Sequence, residues 1–284
     1  MARLNELPFV KGHGTGNDFV VIPDVDGRLD LTGDQVRWIC DRHLGLGADG
    51  VLRVVRTEHV PEFAEFAAVA EFFMDHRNAD GTLAEMCGNG ARVFVRYLDA
   101  TGLVTDNDIV IATRGGLRSV TINHDRTITI DMGIATVPRG TATPVVTVGD
   151  RSWPATGVLM PNPHAVVMVD DLIDAGDLRA APGVSPSDVF PDGVNVEFAV
   201  GRGERHVAMR VHERGVGETL SCGTGACAVA WAVRRRVEPD LIGESTWQVD
   251  VPGGSVRVTE TASGSMLLNG SADLVARGTV LLPL

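Results

Sequence analysis

The sequence predicts an α+β fold of two pseudo-symmetric halves, each a curled, mostly antiparallel sheet around a central helix. Three features predict it: short β-like runs separated by Gly, Asp or Asn turns, two helices that are apolar on most faces, and an internal repeat. The 284 residues suffice for about two domains. We expect residues 1–131 with 272–284 to form the first half, and residues 132–271 to form the second.

The β-like runs are spread along the chain. Residues 207–212 alternate apolar and polar side chains, whereas residues 51–55 and 67–74 are rich in apolar ones. Many such runs are bounded by turn residues and are not followed by a helix. This arrangement favours antiparallel pairing over alternating βαβ units.

Three segments carry helix signals. A capping-box pattern begins at Thr32 and predicts a helix running toward Gly45. Its apolar stripe consists of Val36, Ile39, Cys40 and Leu44. Two further helices are predicted to begin near Cys87 and near Cys222, and both are apolar on most faces, so we expect them to be buried.

The repeat is the most informative feature. Residues 87–91 read Cys-Gly-Asn-Gly-Ala, and residues 222–226, which lie 135 positions later, read Cys-Gly-Thr-Gly-Ala. At an offset of 145, residues 17–21 align with residues 162–166. Two similar halves imply a pseudo-twofold axis, and we expect the two cysteines to face each other across a cleft between the halves.

Each of these cysteines is predicted to start a helix, with glycines at the second and fourth positions of its motif. Glycine lets a ligand approach the backbone closely, and the first N–H groups of a helix have no partner within the helix. A helix N-terminus carries roughly +0.5 charge and can lower a thiol pKa from ~8.5 toward roughly 3.5–7.5. The same helix ends suit the binding of a carboxylate.

Two opposed thiols suit the inversion of a carbon next to a carboxylate. A thiolate removes the proton from one face while a thiol delivers a proton to the other, whereas a single base returns the proton to its own side. The carbanion is unstable, so hydrogen-bond donors must be aimed at the oxyanions that develop. The glycine-rich helix starts are placed to supply these donors.

Charge and composition exclude several classes. The formal net charge of −12 repels nucleic acid and anionic membrane, so neither is expected as a partner. Lys11 is the only lysine and is followed by Gly12-His13, so a Walker phosphate loop is absent and pyridoxal phosphate chemistry is disfavoured. The N-terminus lacks the basic and apolar segments of a secretory signal, and no run reaches the ~18 apolar residues of a membrane span. We therefore expect a cytoplasmic location.

The remaining cysteine patterns carry no signal for a metal. There is no CxxC pair and no His/Cys zinc pattern, so no metal site is expected and a thiol–disulfide oxidoreductase is disfavoured. Cys40 lies on an apolar stripe, and Cys227 points about 140° away from Cys222 on its helix. We expect both of these thiols in the core.

At these residues the sequence resembles the diaminopimelate epimerases. The resembling segments, in the family's order, are residues 13–19, 78–81, 86–92, 162–164, 194–195, 213–219 and 222–226. The resemblance implies interconversion of LL- and meso-2,6-diaminoheptanedioate without a cofactor, on the route to lysine and the cell wall. It also implies that Cys87 is the proton donor and Cys222 the acceptor in the LL to meso direction.

The resemblance gives roles to further residues. Those matching the cradle of the reacting carboxylate are Gly88, Asn89, Gly223 and Thr224. Those matching the substrate shell, which includes the distal amino-acid head, are Asn17, Asn78, Asn162, Asn195, Glu213 and Arg214. His164 and Glu213 lie where the family supports the catalytic thiols. An arginine fork suits a carboxylate, and a glutamate suits an ammonium group.

Two positions depart from the family pattern. Gly50 stands where many members carry Gln, so any side-chain contact there is lost. Ala276 aligns with an aromatic residue that supports dimerisation in some members, which leaves open whether the chain forms a homodimer.

Two alternative functions remain open at this stage. A two-thiol proline racemase or hydroxyproline epimerase would have the same architecture, although Asn89 and the Glu213-Arg214 pair favour a substrate with a second amino-acid head. A non-catalytic amino-acid-binding module belongs to a different class. Such a module would keep its function when Cys87 is replaced, whereas an epimerase would lose turnover.

Overall fold

Two compact units make up the protein. The structure is a computed structural model that describes residues 5–139 and 142–282. Residues as far as Ile130 pack together with those from Ser271 onward, and we call this group unit 1. The stretch Asp131–Gly270 forms unit 2. Unit 1 is therefore built from two separate parts of the chain.

Strands dominate the described residues. They are β1 Asn5–Gly14, β2 Asn17–Pro23, β3 Gly50–Arg56, β4 Phe72–Asn78, β5 Asp108–Thr113, β6 Gly116–Ile122, β7 Ile128–Ile134, β8 Val145–Val148, β9 Arg151–Leu159, β10 Pro163–Met168, β11 Gly183–Ser185, β12 Asn195–Gly203, β13 His206–Glu213, β14 Gly217–Thr219, β15 Ser245–Val251, β16 Gly254–Glu260, β17 Ser265–Gly270 and β18 Asp273–Leu282.

Helices are few in the same residues. The α-helices are α1 Gly33–Cys40, α2 Gly88–Ala100 and α3 Gly223–Val237. Short 3₁₀ segments are Thr57–His59, Pro61–Ala68, Leu172–Ala175 and Ser187–Val189. None of the described helices has the length and apolar character needed to cross a membrane.

The two units pair their strands in the same way. In unit 1 the order β1-β2-β3-β4-β5-β6-β7 has parallel pairs only at β2–β3 and β4–β5. In unit 2 the order β9-β10-β12-β13-β15-β16-β17 has parallel pairs only at β10–β12 and β13–β15. The repeat seen in the sequence is thus a repeat of sheet topology, and most pairs are antiparallel as predicted.

Each unit has one buried helix against its sheet. Helix α3 contacts strands from β9 at one end of the series to β17 at the other, so the sheet of unit 2 curls around it. Helix α2 contacts β1, β2, β3, β4 and β18 in unit 1. Every residue of α2 from Gly88 to Leu98 is buried, including a polar stripe of Asn89, Arg92 and Arg96. These side chains form hydrogen bonds, for example from Arg92 to Asn89 and from Arg96 to the Ala272 carbonyl. The predicted α+β fold class is confirmed.

The predicted elements hold with two exceptions. Thr32 caps α1 with the expected capping box, and α2 and α3 begin directly after Cys87 and Cys222. The prediction that the α1 stripe continues to Leu44 is wrong, because the helix ends at Cys40 and Leu44 is 74% exposed. The β-like run at 67–74 is also partly wrong, since β4 starts only at Phe72 after a 3₁₀ segment.

A buried carboxylate ties the strands of unit 1 together. Asp75 on β4 is 2% exposed and pairs with Arg53 at 3.1 Å, Arg77 at 3.3 Å and Arg114 at 2.7 Å. Burial raises the pKa of Asp75, but the guanidinium groups of Arg114 and Arg77 lower it by more than burial raises it. The net shift of the pKa is therefore downward. The single charge of Asp75 is therefore shared by three guanidinium groups, from β3, from β4 and from the turn after β5.

Replacing Asp75 tests this tie. Asp75→Asn leaves partly buried guanidinium groups without their counter-ion, so we expect the free energy of unfolding to fall by about 3 kcal/mol. The measurement is urea denaturation followed by circular dichroism. Asp26→Asn, which removes an exposed carboxylate paired with Arg28, is the control and should change stability by less than about 0.5 kcal/mol. Equal effects of the two changes would contradict this account.

Candidate active site

The two cysteines of the repeat occupy the same local geometry. Cys87 is the N-cap of α2, and its Sγ accepts a hydrogen bond from the Gly90 N–H at 3.4 Å. Cys222 is the N-cap of α3, and its Sγ accepts from the Gly225 N–H at 3.4 Å. Both have extended backbone dihedrals, as N-caps require. A sulfur thus lies at the positive end of a buried helix in each unit.

In unit 1 an asparagine network surrounds the thiol. The Asn17 Oδ1 lies 3.7 Å from Cys87 Sγ and accepts from Asn89 Nδ2 at 3.2 Å. The Asn17 Nδ2 donates to Asp49 Oδ2 at 2.7 Å, which fixes the orientation of the amide. The Cys87 thiol therefore faces an acceptor oxygen to which its S–H can donate. Sequence reasoning placed Asn17 and Asn89 here but missed Asp49.

Asp49 is itself held by a charged cluster. Arg42 contacts Asp49 at 2.9 Å and Asp18 at 2.8 Å, and Lys11 contacts Asp18 at 2.6 Å. Although burial opposes it, hydrogen bonds from Arg42 and Lys11 lower the pKa of Asp18 to about 2. The single lysine of the sequence thus serves as a counter-ion in this cluster and also donates to the Gly47 carbonyl.

The other predicted residues of unit 1 lie on α2, β4 and β3. Gly88 and Asn89 form the first turn of α2, and Asn89 is 1% exposed. Asn78 ends β4, is exposed, and donates to Thr82 Oγ1 at 3.0 Å. Gly50 is the ladder partner of Asn78. Unit 1 therefore brings Asn17, Asn89 and Cys87 into one network, and Asn78 stands outside it.

In unit 2 a histidine and carboxylates surround the second thiol. His164 Nδ1 lies 2.6 Å from Glu197 Oε1, and its Nε2 lies 3.1 Å from Asn162 Oδ1. Glu213 forms a hydrogen bond with Cys222 and accepts one from the Thr219 hydroxyl. Burial raises the pKa of Glu213. The two residues expected to support the thiols, His164 and Glu213, are thus in the same unit as Cys222.

Four further predicted residues of unit 2 belong to the same part of the chain's fold. Asn195 Oδ1 accepts from the backbone N–H of Arg214 at 2.9 Å. Thr224 Oγ1 lies 3.4 Å from Cys222 Sγ, and Gly223 is the first residue of α3. Arg214 is exposed, and its guanidinium donates to the Asp192 carbonyl at 2.8 Å. Glu213 and Arg214 therefore point to different environments.

The expected lowering of the thiol pKa is wrong for Cys222. Burial raises its pKa well above the usual value, and the charges of Glu213 and Glu197 raise it further. Hydrogen bonds from Thr224 and the Gly225 N–H act in the opposite direction but are outweighed. Desolvation and two carboxylates thus overcome the helix N-terminus. Cys222 in this state is a thiol that becomes a strong base once deprotonated.

The two cysteines outside the repeat lie in the core. All four cysteines are reduced. Burial raises the pKa of Cys40 to about 12, and Cys227 is buried on α3, so both lie in the core as predicted. Across residues 5–139 and 142–282, no group of three or more His, Cys, Asp or Glu side chains could hold a metal ion.

Glu197 is the main residue that sequence reasoning missed. It is 0% exposed, as is His164. A signal was available, because Glu197 follows Asn195 by two residues in an otherwise apolar strand, and residues two apart point to the same face. A charged residue on a buried strand requires a partner, and His164 is that partner.

Solved structures identify the class of fold. A phenazine biosynthesis protein of the PhzF family from Bacillus anthracis aligns with a TM-score of 0.68 at 18% identity, over 98% of this chain and 100% of that one. A hydroxyproline epimerase from Agrobacterium vitis aligns with a TM-score of 0.66 at 14% identity, over 98% and 93%. At these identities the similarity shows a shared fold.

Sequence comparisons identify the family. The diaminopimelate epimerase family model matches residues 9–138 and 156–275. The diaminopimelate epimerase of Streptomyces coelicolor is 54% identical over 275 residues, covering 96% of this chain and 94% of that protein. Its counterpart in Thermobifida fusca is 45% identical over 281 residues, covering 97% and 98%. The chain belongs to the diaminopimelate epimerase family.

Gly50 can be tested as a position without room for a side chain. A Cβ at Gly50 would lie 2.7 Å from the Arg77 carbonyl oxygen and 3.1 Å from His76 Nε2. We therefore expect Gly50→Ala to lower the free energy of unfolding by about 1–3 kcal/mol, and Gly50→Gln at least as much. Urea denaturation measures the change. Gly201→Ala, at a strand glycine with no atom within 4 Å of the added Cβ, should be neutral, and similar losses at both sites would contradict the prediction.

Proposed function

We propose that the chain interconverts LL- and meso-2,6-diaminoheptanedioate as a cofactor-independent, two-base epimerase. Cys222 removes the α-proton of the LL isomer, and Cys87 delivers a proton to the opposite face. The observation that carries the proposal is the pair of thiols in identical N-cap positions, one in each unit of a member of this family. Inversion of an α-carbon needs two such groups, and each unit supplies one.

The proton and electron balance of the reaction is simple. The Cys222 thiolate takes the α-proton, and the electron pair of the broken C–H bond moves onto the carboxylate as an enediolate. The Cys87 S–H bond then breaks, its proton goes to the α-carbon from the other side, and the electron pair of the enediolate forms the new C–H bond. Cys222 ends as a thiol and Cys87 as a thiolate, so the reverse reaction starts from this state.

The surroundings of each thiol support these roles. Cys87 faces the Asn17 carbonyl oxygen, an acceptor that favours its protonated form. The raised pKa of Cys222 makes its thiolate, once formed, more basic than an ordinary cysteine thiolate, which suits a weakly acidic α-proton. The N–H groups of the first turns of α2 and α3, where Gly88, Asn89, Gly223 and Thr224 lie, supply donors for the oxyanions.

The substrate-binding roles rest on the family. Asn17, Asn78, Asn162, Asn195 and Arg214 occupy the positions that we assign to the substrate shell. The exposed guanidinium of Arg214 suits the distal carboxylate. Glu213 contacts the Cys222 thiol, so we assign it to that thiol in addition to the substrate's ammonium group.

We assign the reaction to the cytoplasm. The mechanism needs two reduced thiols, and a reducing compartment keeps thiols in that state. All four cysteines of the chain are reduced in the structure.

Isotope exchange tests the proposed reaction. LL-diaminopimelate is incubated with the protein in D₂O without pyridoxal phosphate, and the α-hydrogen signal is followed by NMR. We expect loss of the signal together with appearance of the meso isomer. No exchange would refute the proposal. Turnover of proline or hydroxyproline in its place would assign a different racemase, and binding of diaminopimelate without exchange would indicate a binding module.

Single-thiol variants test the division of labour. Cys87→Ser keeps the thiol that removes the LL proton, so it should exchange the α-hydrogen of the LL isomer while formation of the meso isomer falls at least about 100-fold. Cys222→Ser should exchange only the D centre of the meso isomer. NMR with chiral separation measures both. Cys227→Ala, a core position on α3, is the control that should retain turnover. The reverse pattern of exchange would show that the two roles are exchanged.

A further inference from the structure

A buried pair of a histidine and a carboxylate lies beside the second thiol. Glu197 on β12 and His164 on β10 are both 0% exposed, and Glu197 Oε1 lies 2.6 Å from His164 Nδ1. The other histidine nitrogen contacts Asn162 at 3.1 Å. Burial of a carboxylate is costly unless it is paired, so this pair needs a reason to persist in the core of unit 2.

The packing of Glu197 places it next to Cys222. A Cβ at Gly225 would lie 2.8 Å from Glu197 Oε1 and 3.3 Å from Cys222 Sγ. The absence of a side chain at Gly225 therefore makes room for the carboxylate beside the sulfur. Glu197 Oε2 is buried and has no hydrogen-bond partner among the described residues. Only one of the two carboxylate oxygens of Glu197 thus has a hydrogen-bond partner among the described residues, and the carboxylate lies beside the start of α3.

The corresponding place in unit 1 is apolar. In the parallel pair β2–β3, Phe19 is opposite Gly50 and Val21 is opposite Leu52. In the parallel pair β10–β12, His164 is opposite Asn195 and Val166 is opposite Glu197. All of these positions are related by the 145-residue offset of the repeat, so Phe19 corresponds to His164 and Leu52 to Glu197.

Contacts at the helix start confirm this correspondence. A Cβ at Gly90 would lie 3.3 Å from Leu52 Cδ2 and 3.4 Å from Phe19 Cζ. Leu52 and Phe19 thus fill, beside Cys87, the space that the Glu197 carboxylate fills beside Cys222. The same topology thus holds an apolar pair at this place in unit 1 and an ionisable pair in unit 2.

We propose that Glu197 is a positioning residue for the Cys222 half of the reaction, acting through His164. Its carboxylate accepts a hydrogen bond from His164 Nδ1 and so fixes the ring beside Asn162. The protonation of His164 Nε2, the nitrogen that contacts Asn162, then determines which atom of the Asn162 amide faces the ring. A protonated Nε2 faces the amide oxygen, and an unprotonated Nε2 faces the amide nitrogen. Unit 1 orients the corresponding Asn17 amide directly, through Asp49. This inference rests on the proposed function.

The charged groups around Cys222 define the expected pH behaviour. Glu197 from β12 and Glu213 from β13 are the titratable groups that act on Cys222, and Thr224 from α3 adds a hydroxyl. His164 from β10 is paired with Glu197. The negative charge of Glu197 disfavours the Cys222 thiolate. Removal of that charge therefore makes the thiolate easier to form, whereas loss of the hydrogen bond to His164 impairs turnover.

Three variants separate charge, orientation and folding. Glu197→Gln keeps an acceptor for His164 Nδ1, and we expect kcat to fall about 10-fold. Glu197→Leu removes the acceptor, and kcat should fall at least about 100-fold. The double variant His164→Phe with Glu197→Leu copies the apolar pair of unit 1, so it should melt near the wild-type temperature while kcat remains at least about 100-fold lower. Full activity in this stable double variant would overturn the proposal.

A buried carboxylate elsewhere in unit 2 provides the control. Glu260 is 7% exposed and contacts Arg235 at 2.8 Å. Glu260→Gln should lower the melting temperature without altering kcat. If Glu260→Gln and Glu197→Gln lower kcat equally, the effect of Glu197 is only structural.

Alkylation gives a second readout that does not depend on turnover. In a Cys87→Ser background, the rate at which iodoacetamide modifies Cys222 is measured from pH 6 to 10 and located by peptide mass analysis. Adding Glu197→Gln should raise the rate at pH 8 about three- to tenfold, because the thiol pKa falls. An unchanged rate and an unchanged kcat would overturn the inference. If the wild type has no epimerase activity but the alkylation shift occurs, the proposed function fails while the coupling of Glu197 to Cys222 stands.

Discussion

The chemistry of this protein depends on a sulfur held at the first N–H groups of a buried helix. A glycine follows each cysteine by three residues, and at Gly225 an added Cβ would lie 2.8 Å from Glu197 Oε1 and 3.3 Å from Cys222 Sγ, so the glycine lets the carboxylate approach the thiol. Each of these helices contacts several strands of its own unit. Side chains from different strands can therefore reach the thiol at the helix start. The polar residues near each thiol are carried by those strands.

The same local geometry is used in two electrostatic environments. Cys87 is met by amide groups and by the apolar side chains of Phe19 and Leu52 near Gly90. Cys222 lies beside two carboxylates, Glu213 and Glu197, and burial and those charges raise its pKa. Two helix starts with nearly the same sequence therefore hold thiols in different electrostatic surroundings. The difference comes from the strands packed against them.

The sequence predicted what is periodic or repeated. The offset of 145 between residues 17–21 and 162–166 anticipated two units with one order of strand pairing, and the Cys-Gly-X-Gly motifs located both buried helices. The sequence did not predict features that depend on contacts between residues distant in the chain. The Cys222 pKa depends on Glu213 and Glu197, which are distant in sequence, and Leu44 lies beyond a helix end that the apolar stripe did not reveal. Asp49 was missed because its partners come from separate loops.

The division of the chain has a consequence for its synthesis. Strand β18 pairs with β1, and its Val280 and Leu282 belong to the same apolar cluster as Leu7 and Val20. A ribosome completes Asp131–Gly270 before it releases these residues, because polypeptides grow from the N-terminus. Unit 2, which is continuous in sequence, can therefore form its core first. Until β18 is synthesised, unit 1 has an unpaired sheet edge at β1. Such an edge is exposed to wrong pairing during translation, and chaperones act on nascent chains in that state.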